Sequence, residues 1–211
     1  MVAIEIDPVL VHYLQQKFAA AIAGEKLIVI EGDVLSTDWS ALPLETARPV
    51  IAGNLPYYIT SPILEQVFAL GNAWERAVFL VQKEVALRIA ASPGTRDYGY
   101  LSVLAQLQAS VEYLFDVSRE AFRPPPKVDS AVIRLAPQAS AANDLAGFLR
   151  FAQLCFHQKR KTLRNNLATA YGKEIIDQLP EAKLRAEQLS VANLIALYEK
   201  LPPRAGNGEA S

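Results

Sequence analysis

The sequence predicts an α/β protein, a doubly wound and mostly parallel sheet followed by a small all-helical region, and three observations carry that prediction. Short apolar runs at 2–6, 27–30, 50–52 and 77–81, each flanked by polar or turn residues, recur at intervals that leave room for a helix between them. That is the rhythm of βαβ units. Further on, Val111, Tyr113, Phe115 and Val117 alternate with Glu112, Leu114, Asp116 and Ser118, the pattern of a strand with one wetter face. Beyond an Ala-, Ser-, Gln- and Asn-rich linker at 137–143, every periodic segment is helical.

The elements follow in order. The first strand ends in Glu5-Ile6-Asp7, and Asp7-Pro8 supplies an N-cap and a proline at the first helical position. Leu10, Tyr13, Leu14, Phe18 and Ile22 keep helical spacing, so one helix is predicted over 8–23. The second strand runs into Glu31-Gly32-Asp33-Val34-Leu35, and the third into Gly53-Asn54-Leu55-Pro56-Tyr57-Tyr58. A helix is predicted from Tyr98-Gly99 to about Ala109. Phe122 and the prolines at 124–126 form a stiff extended connector. The segment 130–135 is a last strand, forming with 111–117 an antiparallel hairpin on the edge of the sheet. The expected domains are 1–137 and 145–201, with a small, polar, disordered tail at 202–211.

With 211 residues, 51% of them hydrophobic, the chain can bury a sizeable core. The most apolar stretches, 10–23 and 77–91, are interrupted by Gln, Lys, Glu and Arg and fall short of the roughly 18 residues of a membrane span. The start carries two acids and no basic segment, unlike a signal peptide, so no membrane partner and a cytoplasmic location are expected. Cys155, the single cysteine, lies between Leu154 and Phe156 and reads as a buried thiol; no metal site is expected. His12 and His157 read as surface or capping residues. The net charge of −1 points to no polyanion, yet 145–173 holds Arg150, Lys159, Arg160, Lys161, Arg164 and Lys173 and no acid. Such a run is a phosphate-binding footprint or a solvated helix face, and the lack of acids at i±4 favours the footprint.

Chemistry gathers at the strand ends. An acid closing a strand, as Glu5 does, suits the two ribose hydroxyls of a nucleotide-like cofactor. Asp33 could accept from an adenine amine. Each, taken alone, reads more readily as a solvated loop acid. The stretch from Asn54 says more, because an Asn side-chain oxygen and a nearby backbone carbonyl can both accept from an adenine N6 amine while a following aromatic ring offers a stacking face. Pro56 would stiffen the turn and leave its carbonyl free. The N6 lone pair is delocalised into the ring; two acceptors draw it toward sp3 character and aim it at a methyl donor, so no tuned general base is needed. The competing reading is a β-turn with an incidental tyrosine.

Asn54-Leu55-Pro56-Tyr57 is similar to the amino-methyltransferase motif of the ribosomal RNA adenine dimethylase family, and Phe122-Arg123-Pro124-Pro125-Pro126-Lys127-Val128-Asp129-Ser130 resembles that family's later motif. Tyr98 to Val103 and Phe156 to Leu167 also resemble family segments, so the likeness runs over 2–201. The last segment favours the branch that dimethylates two adjacent adenosines near the 3′ end of small-subunit (16S) rRNA. The resemblance implies a Rossmann-like class I methyltransferase sheet and S-adenosylmethionine as donor. It implies a cofactor site of Glu5, Ile6, Asp33, Val34 and Asn54, with Glu5 on the ribose and Asp33 on the adenine. Asn54 and Pro56 would hold the reacting amine, and Tyr57 and Phe122 would sandwich a flipped base. Lys127, Lys159, Arg160, Lys161 and Arg164 would bind RNA, the partner being 16S rRNA within an immature small subunit and the protein a monomer.

One feature of such a sheet is missing. No Gly-x-Gly pattern occurs before Asn207, and Met1 falls where the second strand of the family's sheet begins. The expectation is that a βα unit of about 30 residues is absent and that its strand was central. The flanking strands would then face each other across about 9 to 10 Å with unpaired backbone groups, and the chain would bind S-adenosylmethionine poorly. The alternatives are a truncated fragment and a non-catalytic rRNA-binding ribosome-assembly factor. A DNA adenine methyltransferase fits less well, since those proteins carry proline where Leu55 stands.

Overall fold

A computed structural model describes residues 1–44, 46 and 48–202. The first strand, β1 (Val2–Glu5), turns through Asp7, whose Oδ1 accepts from Val9 N at 2.8 Å and starts α1 (Pro8–Lys17). The single helix predicted over 8–23 is instead two. Phe18, at φ −112° and ψ 23°, separates α1 from α2 (Ala19–Ala23). Val9, Leu10, Tyr13 and Phe18 are exposed, so little tertiary packing holds the helix continuous there. The next strand, β2 (Ile28–Glu31), pairs in parallel with β1, from Val2 beside Ile28 to Glu5 beside Glu31.

A second sheet is built from β3 (Val50–Asn54), β4 (Arg76–Gln82), β5 (Ala109–Val117) and β6 (Ser130–Pro137) in the order β3-β4-β6-β5. The β3–β4 pair is parallel, with α3 (Thr60–Ala69) as its crossover, while β6 runs antiparallel to both β4 and β5. The expected hairpin is therefore present, with β5 at the rim. Its alternation is not uniform. A register shift between Tyr113 and Phe115 places a bulge at Leu114, and Phe115 turns out to solvent at 55% exposure, because one extra residue inverts the facing of all that follow.

The strands fall into two sheets, β1-β2 and β3-β4-β6-β5. The loop after β2 is tied to the second sheet's crossover helix, where Gln66 on α3 donates to Leu35 O at 2.6 Å, and within the loop Trp39 Nε1 donates to Val34 O at 3.0 Å. Val34, Leu35 and Trp39 pack on the core beneath β3, β4 and β6, which contains Trp74, Phe79, Val81, Ile133 and Leu135.

Between β4 and β5 run α4 (Lys83–Ala90) and α5 (Tyr100–Gln108), and the chain ends in α6 (Leu145–Phe156), α7 (Leu163–Tyr171), α8 (Lys173–Asp177) and α9 (Val191–Lys200). The helical region is not held by a linker alone. Leu104 and Ala105 of α5 join the sheet core, whereas Val103 and Leu107, with Tyr98, join Phe148, Phe151, Leu163, Leu167 and Leu194 in a second core. Cys155 is fully buried there, and burial pushes its thiol well above the usual range. At the start of α6, Asp144 accepts from Gly147 N at 2.9 Å and from Tyr198 OH at 2.8 Å, tying α6 to α9. A Cβ at position 147 would overlap both partners. Among the described residues no helix is long and apolar enough to cross a membrane. Of the tail expected to be disordered, residues 203–211 lie outside the described residues.

Phe151 is fully buried and meets the rings of Tyr198 and Tyr171 at 5.4 and 6.2 Å between centroids. Phe151→Ala should cost about 3 to 5 kcal/mol in urea-induced unfolding; a cost below about 1 kcal/mol would mean that this core is loosely held.

Candidate active site and nucleic-acid interface

The sequence-derived candidates converge on the carboxyl ends of the parallel strands, where open α/β sheets bind ligands. Glu5 ends β1; its Oε1 accepts from Asp7 N at 2.9 Å, and its carbonyl accepts from Gly32 N at 2.9 Å, fastening the end of β1 to the turn after β2. Ile6 beside it is 65% exposed. In that turn Asp33 Oδ1 accepts from Leu35 N at 2.9 Å, and Asp33 O accepts from Thr37 N at 3.0 Å and Thr37 Oγ1 at 2.8 Å. Each carboxylate thus has one oxygen engaged by backbone and one without a partner among the described residues.

At the end of β3, Asn54 pairs with Leu80 in register, and Leu55 N continues the ladder by donating to Leu80 O at 2.9 Å. Gly53 makes room for this turn: a Cβ there would lie 3.0 Å from the buried Leu55 side chain. The carbonyl expected to be free is not the one that is. Pro56 O accepts from Ile59 N at 3.1 Å and from Thr60 Oγ1 at 3.3 Å, because the first turn after a strand needs acceptors for its own N–H groups. The carbonyl left unbonded among the described residues is that of Leu55, next to the exposed, unpartnered carboxamide of Asn54.

Tyr57 is half-buried and its hydroxyl shares a hydrogen bond of 2.9 Å with Ser130 Oγ. The segment 118–129 reaches the same edge: Lys83 N donates to Asp129 O at 3.0 Å, Arg119 N closes the segment on itself by donating to Asp129 Oδ1 at 3.1 Å, and beside it Lys83 Nζ donates to Asp116 Oδ2 at the end of β5 at 2.7 Å. It carries half-buried Phe122, the cis Arg123–Pro124 bond and exposed Lys127. Asn54, Pro56, Tyr57 and the segment bearing Phe122 are brought to one edge. Sequence reasoning assigned no role to Ser130, although it closes the later motif.

The basic run differs from expectation. Lys159 to Lys161 lie in the reversal between α6 and α7, not on a helix, since the chain must turn for Leu163 and Leu167 to reach the core. His157 is the exposed C-cap of α6. Arg164, on α7, is paired with Asp177 of α8, with Nη2 to Oδ2 at 2.8 Å, so compensation comes from a tertiary neighbour that no i±4 rule would find. Lys159 Nζ donates to Arg96 O. The side chains of Arg160 and Lys161 are exposed and have no partner among the described residues. The reversal borders a groove of about 970 Å³ between the two cores, lined also by Arg88, Arg96, Asp97 and Arg185. Arg88 and Arg185 are paired with Glu84 and Glu187, so Arg96, Lys159 and Arg160 remain against the single acid Asp97 and leave the groove with an excess of two positive charges. The Pro93-Gly94 turn that presents Arg96 was a loop signal in the sequence; its placement beside Lys159 was not.

The ribosomal RNA adenine dimethylase family matches residues 1–201. A "Ribosomal RNA small subunit methyltransferase A" of Chlorobium chlorochromatii is 44% identical over 207 residues, covering 97% of this chain and 76% of that protein. The protein so named in Acidobacterium capsulatum is 44% identical over 214 residues, covering 97% and 75%. Among solved structures, a dimethyladenosine transferase from Plasmodium falciparum superposes with a TM-score of 0.77 at 24% identity, over 94% of this chain and 82% of that one. The 23S rRNA methyltransferase ErmE does so with 0.63 at 26%, over 95% and 81%.

The Lys83–Asp116 pair joins α4 to the end of β5, where 118–129 begins, and its charges make that junction sensitive to pH. Hydrogen bonds from Lys83 and then Tyr113 hold the Asp116 carboxyl below its usual range, and Asp116 holds Lys83 above its own. The aspartate contribution is present above about pH 3.9 and lost as pH falls through its lowered folded value; the lysine contribution is complete below about pH 10.4 and lost as pH rises through its raised value. Amide protection in 118–129, corrected for intrinsic exchange, should therefore drop on acidification below about pH 4. Asp116→Asn should show weaker protection at pH 7 and little further drop; equal drops in both proteins would assign the effect to other carboxylates.

Proposed function

Because the chain belongs to the ribosomal RNA adenine dimethylase family, we propose that it transfers methyl groups from S-adenosylmethionine to N6 of two adjacent adenosines near the 3′ end of 16S rRNA. In this reading it works as a cytoplasmic monomer on an immature small subunit. The observation that carries the reaction is the pair of open acceptors, Asn54 Oδ1 and Leu55 O, in the turn that leads into Tyr57. An assembly factor could use the same basic groove, but it has no use for that pair.

Glu5 and Asp33 fit the ribose and adenine ends of the methyl donor. Two carboxylates on adjacent strand ends, Glu5 and Asp33, each keep one oxygen for a ligand, which suits a ribose diol and an adenine amine; Ile6 and Val34 would flank them. When bound, S-adenosylmethionine supplies a methyl group made electrophilic by its sulfonium. Asn54 Oδ1 and Leu55 O accept the two N–H bonds of the target amine, draw its lone pair out of conjugation and fix its direction of attack. Once N6 carries the methyl it is cationic and acidic, and its proton leaves through the exposed Asn54 side. A monomethylated amine has one N–H, so the second transfer proceeds with one acceptor engaged. Tyr57 stacks on one face of the base and Phe122, on the segment above, closes the other. Lys127 on that segment, Lys159 and Arg160 at the groove, and Lys161 beside them on the reversal would take phosphates, whereas Arg164 is already neutralised by Asp177.

Asn54→Ala should lower methylation of 16S rRNA about 100-fold or more, by analogy with removing one preorganised polar group from a reacting centre. Tyr57→Ala should lose about 5- to 150-fold, matching base stacking worth about 1 to 3 kcal/mol. Cofactor affinity measured by calorimetry should change little in Tyr57→Ala, and a parallel loss of both would make the ring a packing residue. Replacing Arg160 and Lys161 together with Ala should flatten the dependence of log affinity for rRNA on log salt by about 1.4 to 1.8 units. Arg164→Ala should barely alter it; the reverse ranking would move the phosphate contacts onto α7.

A further inference from the structure

We infer that Ser130 is a positioning residue for the base-stacking ring of Tyr57; the inference rests on the stacking role proposed for Tyr57. The two hydroxyls lie 2.9 Å apart across 73 residues of sequence and join the two motif segments. Ser130 is fully buried and Tyr57 OH is its side chain's partner. Its own position is fixed from both sides, since it pairs with Gln82 on β4 and Val117 on β5. The preceding residue, Asp129, is held by Lys83 N and Arg119 N. Tyr57 has no comparable support. It sits in a single short turn, the next residue, Tyr58, is 85% exposed, and no ring stacks on it among the described residues.

A tyrosine ring is oriented by two torsions, and anchoring its far end restrains both. The backbone turn places the near end and Ser130 the far end, so the ring plane is set before a base arrives, which removes an ordering cost from binding. The same strand end anchors the segment that carries Phe122. Both walls of the proposed base slot are therefore measured from the first residue of β6, and a shift of Ser130 would move one wall relative to the other.

The test uses the full chain with three variants, Ser130→Ala, Tyr57→Phe and the double variant; both single changes remove the hydrogen bond and keep the ring. With 16S rRNA as substrate, each single variant should lower kcat about 3- to 10-fold while KM for S-adenosylmethionine stays unchanged, and the double variant should be no worse than the poorer single. Multiplying losses in the double variant would overturn the inference, as would a lowered thermal midpoint with kcat intact, the mark of a merely structural serine. Tyr57→Ala separates the two levels. Full activity in it sinks the stacking role itself, whereas loss in it together with wild-type kcat in Ser130→Ala and Tyr57→Phe sinks only the positioning role. A readout free of turnover comes from 3-fluorotyrosine labelling: in the protein alone, the Tyr57 fluorine resonance, assigned with Tyr57→Phe, should shift or change width in Ser130→Ala. A resonance that does not move would overturn the inference.

Discussion

The antiparallel insertion of β6 beside β4 is the constraint on which the rest of the site depends. Ala77, Phe79 and Val81 on β4 and Ala131, Ile133 and Leu135 on β6 are all at or below 1% exposure. A slip of β6 by one residue would turn its three to the opposite face and unpair the set. With register fixed in this way, Gln82 must lie beside Ser130, and the carboxyl end of a parallel strand meets the start of an antiparallel one. Everything leading into β6 is consequently delivered to the edge where Asn54 and Tyr57 emerge. In a purely parallel sheet the segment before a strand would arrive at the opposite edge, and Phe122 could not share a site with Tyr57.

A second dependence runs through α5. Consecutive residues of this helix enter different cores, Val103 and Leu107 the helical one and Leu104 and Ala105 that of the sheet. Such a helix is apolar on more than one side, and its polar Ser102 and Gln106 are satisfied by the carbonyls of Arg88, Ile89 and Ala91. It fixes the helical region against the sheet and with it the groove between Arg96 and Arg160. The cations of that groove come from separate stretches of chain, so neither the long acid-free run nor the overall charge of −1 reveals it. What counts for a polyanion is which cations lack an acid in space.

That distinction marks how far the sequence could be read. The strands were legible because burial on one or both faces imposes a period or an apolar run, and the later hairpin because its alternation spans many residues. The break at Phe18 was not, since helical spacing persists through a point where exposed side chains leave nothing to enforce it. The outward turn of Phe115 was hidden because a bulge adds one residue without changing composition. At the site, Asn54 and Tyr57 were legible as chemical types in a turn. The exchange of roles between the carbonyls of Pro56 and Leu55 was not, because it depends on which acceptor the following turn consumes. Arg164 looked free for a similar reason: Asp177 is remote in sequence and adjacent in the fold.

The demands of the proposed chemistry explain why geometry matters more here than tuned acidity. Two neutral acceptors, a side-chain amide and a peptide carbonyl, act on an amine whose lone pair must leave the plane of its ring. Neither acceptor gains from a displaced pKa, and both lose if they rotate away from the amine, because a hydrogen bond weakens steeply with angle. Rate must then come from holding the groups in place. The fold supplies this by building the acceptors on the last residue of a laddered strand and the one after it, where Leu55 N still pairs with Leu80 O. The stacking ring stands one turn further out, beyond the reach of the ladder, and there the backbone no longer suffices. A side-chain tether to a second strand is the remaining way to hold it, and Ser130 is where that tether ends.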